Sequence, residues 1–112
     1  MDVGNHEAVV GSARVKEAIQ NYVYFESDAN MRLSYGKLQL RKGLLCYISN
    51  KGNKNVYYNL NAISELKVSM FTLISFKYPG KFIEQSIGVS GASKWISVIQ
   101  NAQNGIYPNN NL

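Results

Sequence analysis

Between Phe71 and Gly88 the chain reads as two alternating apolar stretches joined by Tyr78-Pro79-Gly80-Lys81. It then runs straight into residues 90–105, where apolar positions recur at helical spacing. A hairpin followed by one amphipathic helix, after a long run of short strands, leaves few ways to build a core, because the helix must cover the sheet. Its stripe is Ala92, Trp95, Ile96, Ile99 and Ala102, and Trp95 is the chain's single tryptophan. Ser90 is placed to cap the helix start, and Gly105 followed by Pro108 stops it, which sets the helix from about Ala92 to Asn104. In the hairpin, proline presets φ at the second turn position and glycine accepts positive φ at the third, the pattern of a type II turn. Direct pairing across that turn puts Thr72, Ile74, Phe76 and Tyr78 on one face with Lys81, Ile83, Gln85 and Ile87.

Upstream, strands are expected over residues 22–27, 32–40, 44–49, 56–60 and 63–68, making seven with the hairpin. Asp28-Ala29-Asn30 and Arg41-Lys42-Gly43 carry turn chemistry, and residues 50–55 are a polar loop dense in Asn, Lys and Gly. Gly36 breaks the alternation of Leu33, Tyr35, Leu38 and Leu40, which points to a bulge or sharp bend. Ser12 can cap a short N-terminal helix with Val15, Ala18, Ile19 and Tyr22 on one side. These readings divide the 112 residues into a flexible start (1–11), one domain (12–105) and a disordered tail (106–112).

Charge is unevenly placed. The formal net charge is +5, yet residues 1–30 hold five acids and two bases, and residues 31–112 hold ten bases and two acids. A body this basic favours anionic partners. No apolar run approaches the roughly 20 residues that cross a bilayer. The start lacks a secretory pattern, and the single cysteine, Cys46, cannot close an internal disulfide, so a cytoplasmic location is expected. Cys46 lies within Leu44-Leu45-Cys46-Tyr47-Ile48, where a small core residue is the expected role.

The residue set offers little for catalysis, and the chain is expected not to be an enzyme. The one histidine, His6, falls in the flexible start, too unconstrained to be a positioned base. One Cys and one His do not make a structural zinc site, and no Gly-rich phosphate loop joins a strand to a helix. No cofactor or metal is expected.

Gly36-x-Leu38-x-Leu40, four residues, then Leu45-x-Tyr47 resembles the Gly-x-Leu-x-Leu-Thr-x-x-x-Leu-x-Phe segment of the pleckstrin-homology (PH) superfold, with Arg41 where threonine is usual. Tyr58-Asn59-Leu60-x-x-Ile63-x-x-Leu66 is similar to its Ile-Pro-Leu-x-x-Ile-x-x-Val segment, and Gly80 and Trp95 complete the series. The resemblance spans about Tyr22 to Gln103 and is closest to the GRAM and bacterial PH-like branches. It implies a mainly β domain: a seven-stranded antiparallel barrel of two packed sheets, capped by the C-terminal helix. Trp95, Ile96 and Ile99 are then expected against Leu38, Leu45, Ile63 and Ile74.

The resemblance also implies that the loops after the first, third and sixth strands gather at one open end. Arg32, Lys51, Lys54 and Lys81 are the candidate contacts there for an anionic headgroup. The first loop lacks the basic cluster of phosphoinositide-specific members. The leading expectation is therefore a non-catalytic adaptor that takes a protein or peptide partner along a free strand edge beside the final helix. Peripheral attachment to anionic, phosphoinositide-like membrane lipids through the four cations is the alternative. Single-stranded nucleic acid, suggested by aromatics interleaved with bases such as Phe76-Lys77-Tyr78, is the weakest.

Overall fold

The computed structural model describes residues 7–9, 22–52 and 54–108. Strand β1 (Glu7–Val9) is followed, after an undescribed stretch, by β2 (Phe25–Met31), β3 (Ser34–Arg41), β4 (Leu44–Ser49) and β5 (Asn55–Asn59). A 3-10 turn (Leu60–Ala62) leads to β6 (Ser64–Ser69), β7 (Leu73–Lys77), β8 (Gln85–Val89) and helix α1 (Ala92–Gln103). The strands form one sheet in the order β1-β5-β4-β3-β2-β8-β7-β6, in which β2 to β8 pair antiparallel and β1 runs parallel to β5.

The sheet curls. Flat, it would separate β5 from β7 by five strand spacings, roughly 24 Å. Instead the Tyr58 and Phe76 rings meet edge-on at 5.0 Å, and the Tyr58 hydroxyl donates to Gln85 Oε1 at 2.9 Å. The concave face holds a continuous core from Leu38, Leu40, Leu45 and Tyr47 to Ile74, Phe76 and Ile87. Helix α1 closes over it with Trp95 and Ile99, both without exposure. The expected two packed sheets of a closed barrel are thus replaced by one sheet whose hydrogen-bond ladder is not closed. Side chains, rather than a strand pairing, bring its ends together.

Several local expectations shift. The first strand starts at Phe25 rather than residue 22 and runs through Asp28-Ala29-Asn30, so the reversal falls at Arg32-Leu33. Asp28 behaves as an outward strand residue because Lys37, opposite it, supplies a partner at 2.9 Å. Gly36 sits in regular register with Ser49 and Ala29, with no bulge. Glycine is required there because a Cβ would run into the Ile48 carbonyl of the neighbouring strand. The apolar phase breaks because Leu33 and Tyr35 face solvent, while Leu38 and Leu40 face the core.

In the final hairpin the Pro79-Gly80 turn forms, with Lys81 N–H donating to the Tyr78 carbonyl and Gly80 at φ +84°. The ladder, however, begins at Phe76 with Gln85, and β7 starts at Leu73. The slip relative to direct pairing is two residues, which preserves the faces. Lys81 and Ile83 are consequently left in an exposed loop. Gly91, left-handed at φ 75°, occupies the helix N-cap in place of Ser90, whose N–H donates instead to the Asp28 carbonyl.

At the chain's start, Glu7–Val9 forms a strand where a loose terminus was expected. The short helix expected after Ser12 lies outside the described residues. Beyond Gly105, Tyr107 stays attached: its ring lies 4.6 Å from that of Tyr24, and its hydroxyl accepts the Gly43 N–H at 2.8 Å.

Candidate functional site

Of the residues singled out for the core, Trp95, Ile99, Leu38, Leu45 and Ile74 are fully buried and Ile63 nearly so. Ile96 is half-buried and packs against the same cluster. Trp95 satisfies its one polar atom, since Nε1–H donates to Ser27 Oγ at 3.0 Å, and its ring meets Phe25 edge-on. A large side chain buried and hydrogen-bonded in this way ties the helix to β2.

The four candidate cations fall into two groups. Arg32, in the β2–β3 turn, and Lys51 and Lys54, in the β4–β5 loop, lie on adjoining segments linked by Asn50 N–H donating to the Tyr35 carbonyl at 2.9 Å. A shallow groove of about 510 Å³ runs between these segments, with Leu33 and Tyr35 on one bank and Asn50 and Lys51 on the other. Lys81 instead borders a separate depression, together with Ala62, Ser64 and Phe82. None of the four makes an ion pair among the described residues, whereas Lys37, Lys67 and Lys77 pair with Asp28, Glu84 and Glu65.

One feature was not foreseen from the sequence, and one expected feature takes a definite place. The first is a set of apolar side chains at loop tips: Leu33 is 96% exposed, Phe71 93% and Phe82 107%. Met70 and Phe71 form most of the β6–β7 loop with φ of 52° and 66°, left-handed values that cost a side-chain-bearing residue roughly 1–2 kcal/mol each. Their only sequence signal was the absence of Gly or Asn where a hairpin had to turn.

The expected feature is a strand edge beside the final helix, and that strand is β6. Among the described strands it ends the sheet, bonded through β7 alone, and α1 packs beside it. Glu65 and Leu66 together oppose Phe76, a bulge with Glu65 at φ 52°, and Lys67 stands in the strand's middle. Bulges and lysines on an edge discourage indiscriminate strand pairing while leaving the edge available.

Among the described residues no group of His, Cys, Asp and Glu could hold a metal ion. No described helix is long and apolar enough to cross a membrane. Burial pushes the Cys46 thiol up to about 12, against a smaller opposing pull from Arg41, so it stays protonated and unreactive. Burial likewise raises Tyr58 to about 12.

No family model matches the chain, and no curated protein matches it. Among solved structures it is similar to the crystal structure of the C-terminal domain of an unknown protein from Leishmania infantum. The identity is 14%, the match covers 73% of this chain and 83% of that one, and the TM-score is 0.57. Likeness at this identity concerns the fold alone.

Proposed function

We propose that this chain is a non-catalytic, PH-like binding module that takes an extended peptide segment as an added strand on β6, beside α1. The strand order from β5 to β6, followed by a C-terminal helix, supports the PH-like reading, as do the motif spacings around Gly36, Leu60 and Trp95. The observation that carries the functional reading is β6 itself, a six-residue strand that among the described residues is hydrogen-bonded on one side only and is flanked by a helix. Main-chain bonds along such an edge provide affinity, and alternate side chains provide selectivity. The test is selection of extended peptides from a displayed library, followed by amide-shift mapping of the selected peptide. Shifts along residues 64–69 and the facing side of α1 are expected. Shifts confined to residues 32–33, 50–54 and 78–84 would overturn the assignment.

A second reading, attachment to anionic membranes, is favoured by one specific observation. Lys51 shares a groove with the exposed Leu33, Arg32 precedes Leu33 in the β2–β3 turn and Lys54 ends the facing loop, and none of the three has a carboxylate partner among the described residues. Bases near an anionic surface contribute about 1 kcal/mol each, which gives weak, salt-sensitive attachment.

A further inference from the structure

One level row of residues crosses four strands on the convex face of the sheet. Tyr35 of β3 lies opposite Asn30 of β2, Asn30 opposite Gly88 of β8, and Gly88 opposite Leu73 of β7. Strand alternation sends all four outward, because Ala29, Ile74, Ile87 and Val89 beside them face the core. Two large side chains thus flank a position that has none. The result is an open trough of about 440 Å³, within the roughly 300–1,000 Å³ of small-molecule sites. Tyr35 and Leu73 bank it, and Asp28, Asn30, Thr72 and Ser90 line the remainder.

Gly88 lacks the left-handed φ of the turn glycines, so its backbone does not call for glycine. What the glycine provides is space, since a Cβ there would run into Asn30 Oδ1. Glycine inside a strand often marks a place where a ligand approaches closely. Asn30 lies there half-buried, and its side-chain amide makes no hydrogen bond among the described residues. Such an amide has two donors and an acceptor to offer.

The surrounding chemistry narrows the ligand. Lys37 meets Asp28 Oδ1 at 2.9 Å, so the carboxylate's charge is matched while its second oxygen can still accept. Thr72 and Ser90 add hydroxyls that both donate and accept. Tyr35 is 73% exposed and brings an aromatic ring to the same place. The trough therefore favours neither a cation nor an anion. It offers mixed donors and acceptors beside one aromatic surface. A sugar ring suits that combination, with hydroxyls around its edge and C–H faces that stack on aromatic rings.

We propose that this trough is a binding site for a neutral saccharide, with one ring stacked on Tyr35 above Gly88 and its hydroxyls bonded to Asp28 and Asn30. The site uses neither β6 nor α1, so it goes beyond peptide capture and does not depend on it.

The test follows amide shifts of the full chain during titration with cellobiose, lactose, mannobiose and diacetylchitobiose. At least one is expected to give saturable shifts centred on residues 28–30, 35, 72–73 and 88–90. Tyr35→Ala and Asn30→Ala should each weaken that sugar about tenfold. Gly88→Ala meets only the movable end of Asn30, so it should fold and weaken binding by a similar factor. Gln100→Ala, on the exposed side of α1, should change nothing. Far-ultraviolet dichroism and Trp95 fluorescence confirm that each variant is folded, and Tyr35→Ala, which alters an exposed side chain, carries the test if Gly88→Ala is not. Absence of saturable shifts at these residues with all four sugars would overturn the proposal, as would unchanged affinity in folded Tyr35→Ala. So would shifts there with inorganic phosphate or adenosine but with none of the sugars.

Discussion

Trp95 combines complete burial with a satisfied indole N–H, so its removal empties a large site and strands the Ser27 hydroxyl. Trp95→Ala is expected to cost about 3–5 kcal/mol in urea unfolding. A loss below about 1 kcal/mol would contradict the role of α1 as cover of the core. Two other residues couple stability to alkali. In the unfolded chain Cys46 and Tyr58 ionise near their ordinary values of about 8.5 and 10, but folding holds both protonated up to about 12. Above about pH 9 the native state therefore binds more protons than the unfolded state, and stability falls as pH rises towards 12. The thermal midpoint should drop across pH 9–11, less steeply in Cys46→Ala, and an identical slope in that variant would refute the Cys46 share. At this scale the sequence was informative about Trp95, whose helical stripe has one sensible destination. It was less informative about Leu33 and Tyr35, which keep strand alternation with Leu38 only if the phase change at Gly36 is ignored.

The elements show where local chemistry competes with register. Asp28 and Asn30 favour turns in isolation, yet a continuous ladder with β3 and the Lys37 partner extend β2 through them. The β6–β7 hairpin shows the reverse, because Met70 and Phe71 occupy left-handed positions that suit glycine or asparagine. Replacing both, Met70→Asn with Phe71→Gly, should raise stability by about 1–2 kcal/mol in urea unfolding. A loss of stability would mean that the two side chains make contacts that outweigh the backbone strain. The apolar run Leu44-Leu45-Cys46-Tyr47-Ile48 carried a further message in its lack of alternation, since unbroken apolar character marks a strand covered on both faces. Free edges such as β6 leave no such mark, because which strand ends a sheet depends on pairings distant in sequence.

For the whole molecule, a predominance of bases combined with an open sheet edge sets two kinds of binding surface against each other. The electrostatic one is separable by salt. Sedimentation with acidic vesicles that weakens above about 0.3 M salt, is absent with neutral vesicles, and is lost in Lys51→Glu with Lys54→Glu would establish the membrane reading. Equal binding to both vesicle types, or to neither, would remove it. A mainly β chain with a final helix was legible in the order of strands and stripe. The open ladder was not, because curl and closure depend on contacts such as Tyr58 with Phe76 that no local spacing encodes. The β6 edge carries the central claim, and amide hydrogen exchange probes it most directly. In the free protein, amides of residues 66–69 that point away from β7 should exchange at nearly unprotected rates and slow more than tenfold when a selected peptide binds. Slow exchange there before any peptide is added, or unchanged exchange in the saturated complex, would contradict strand addition at β6.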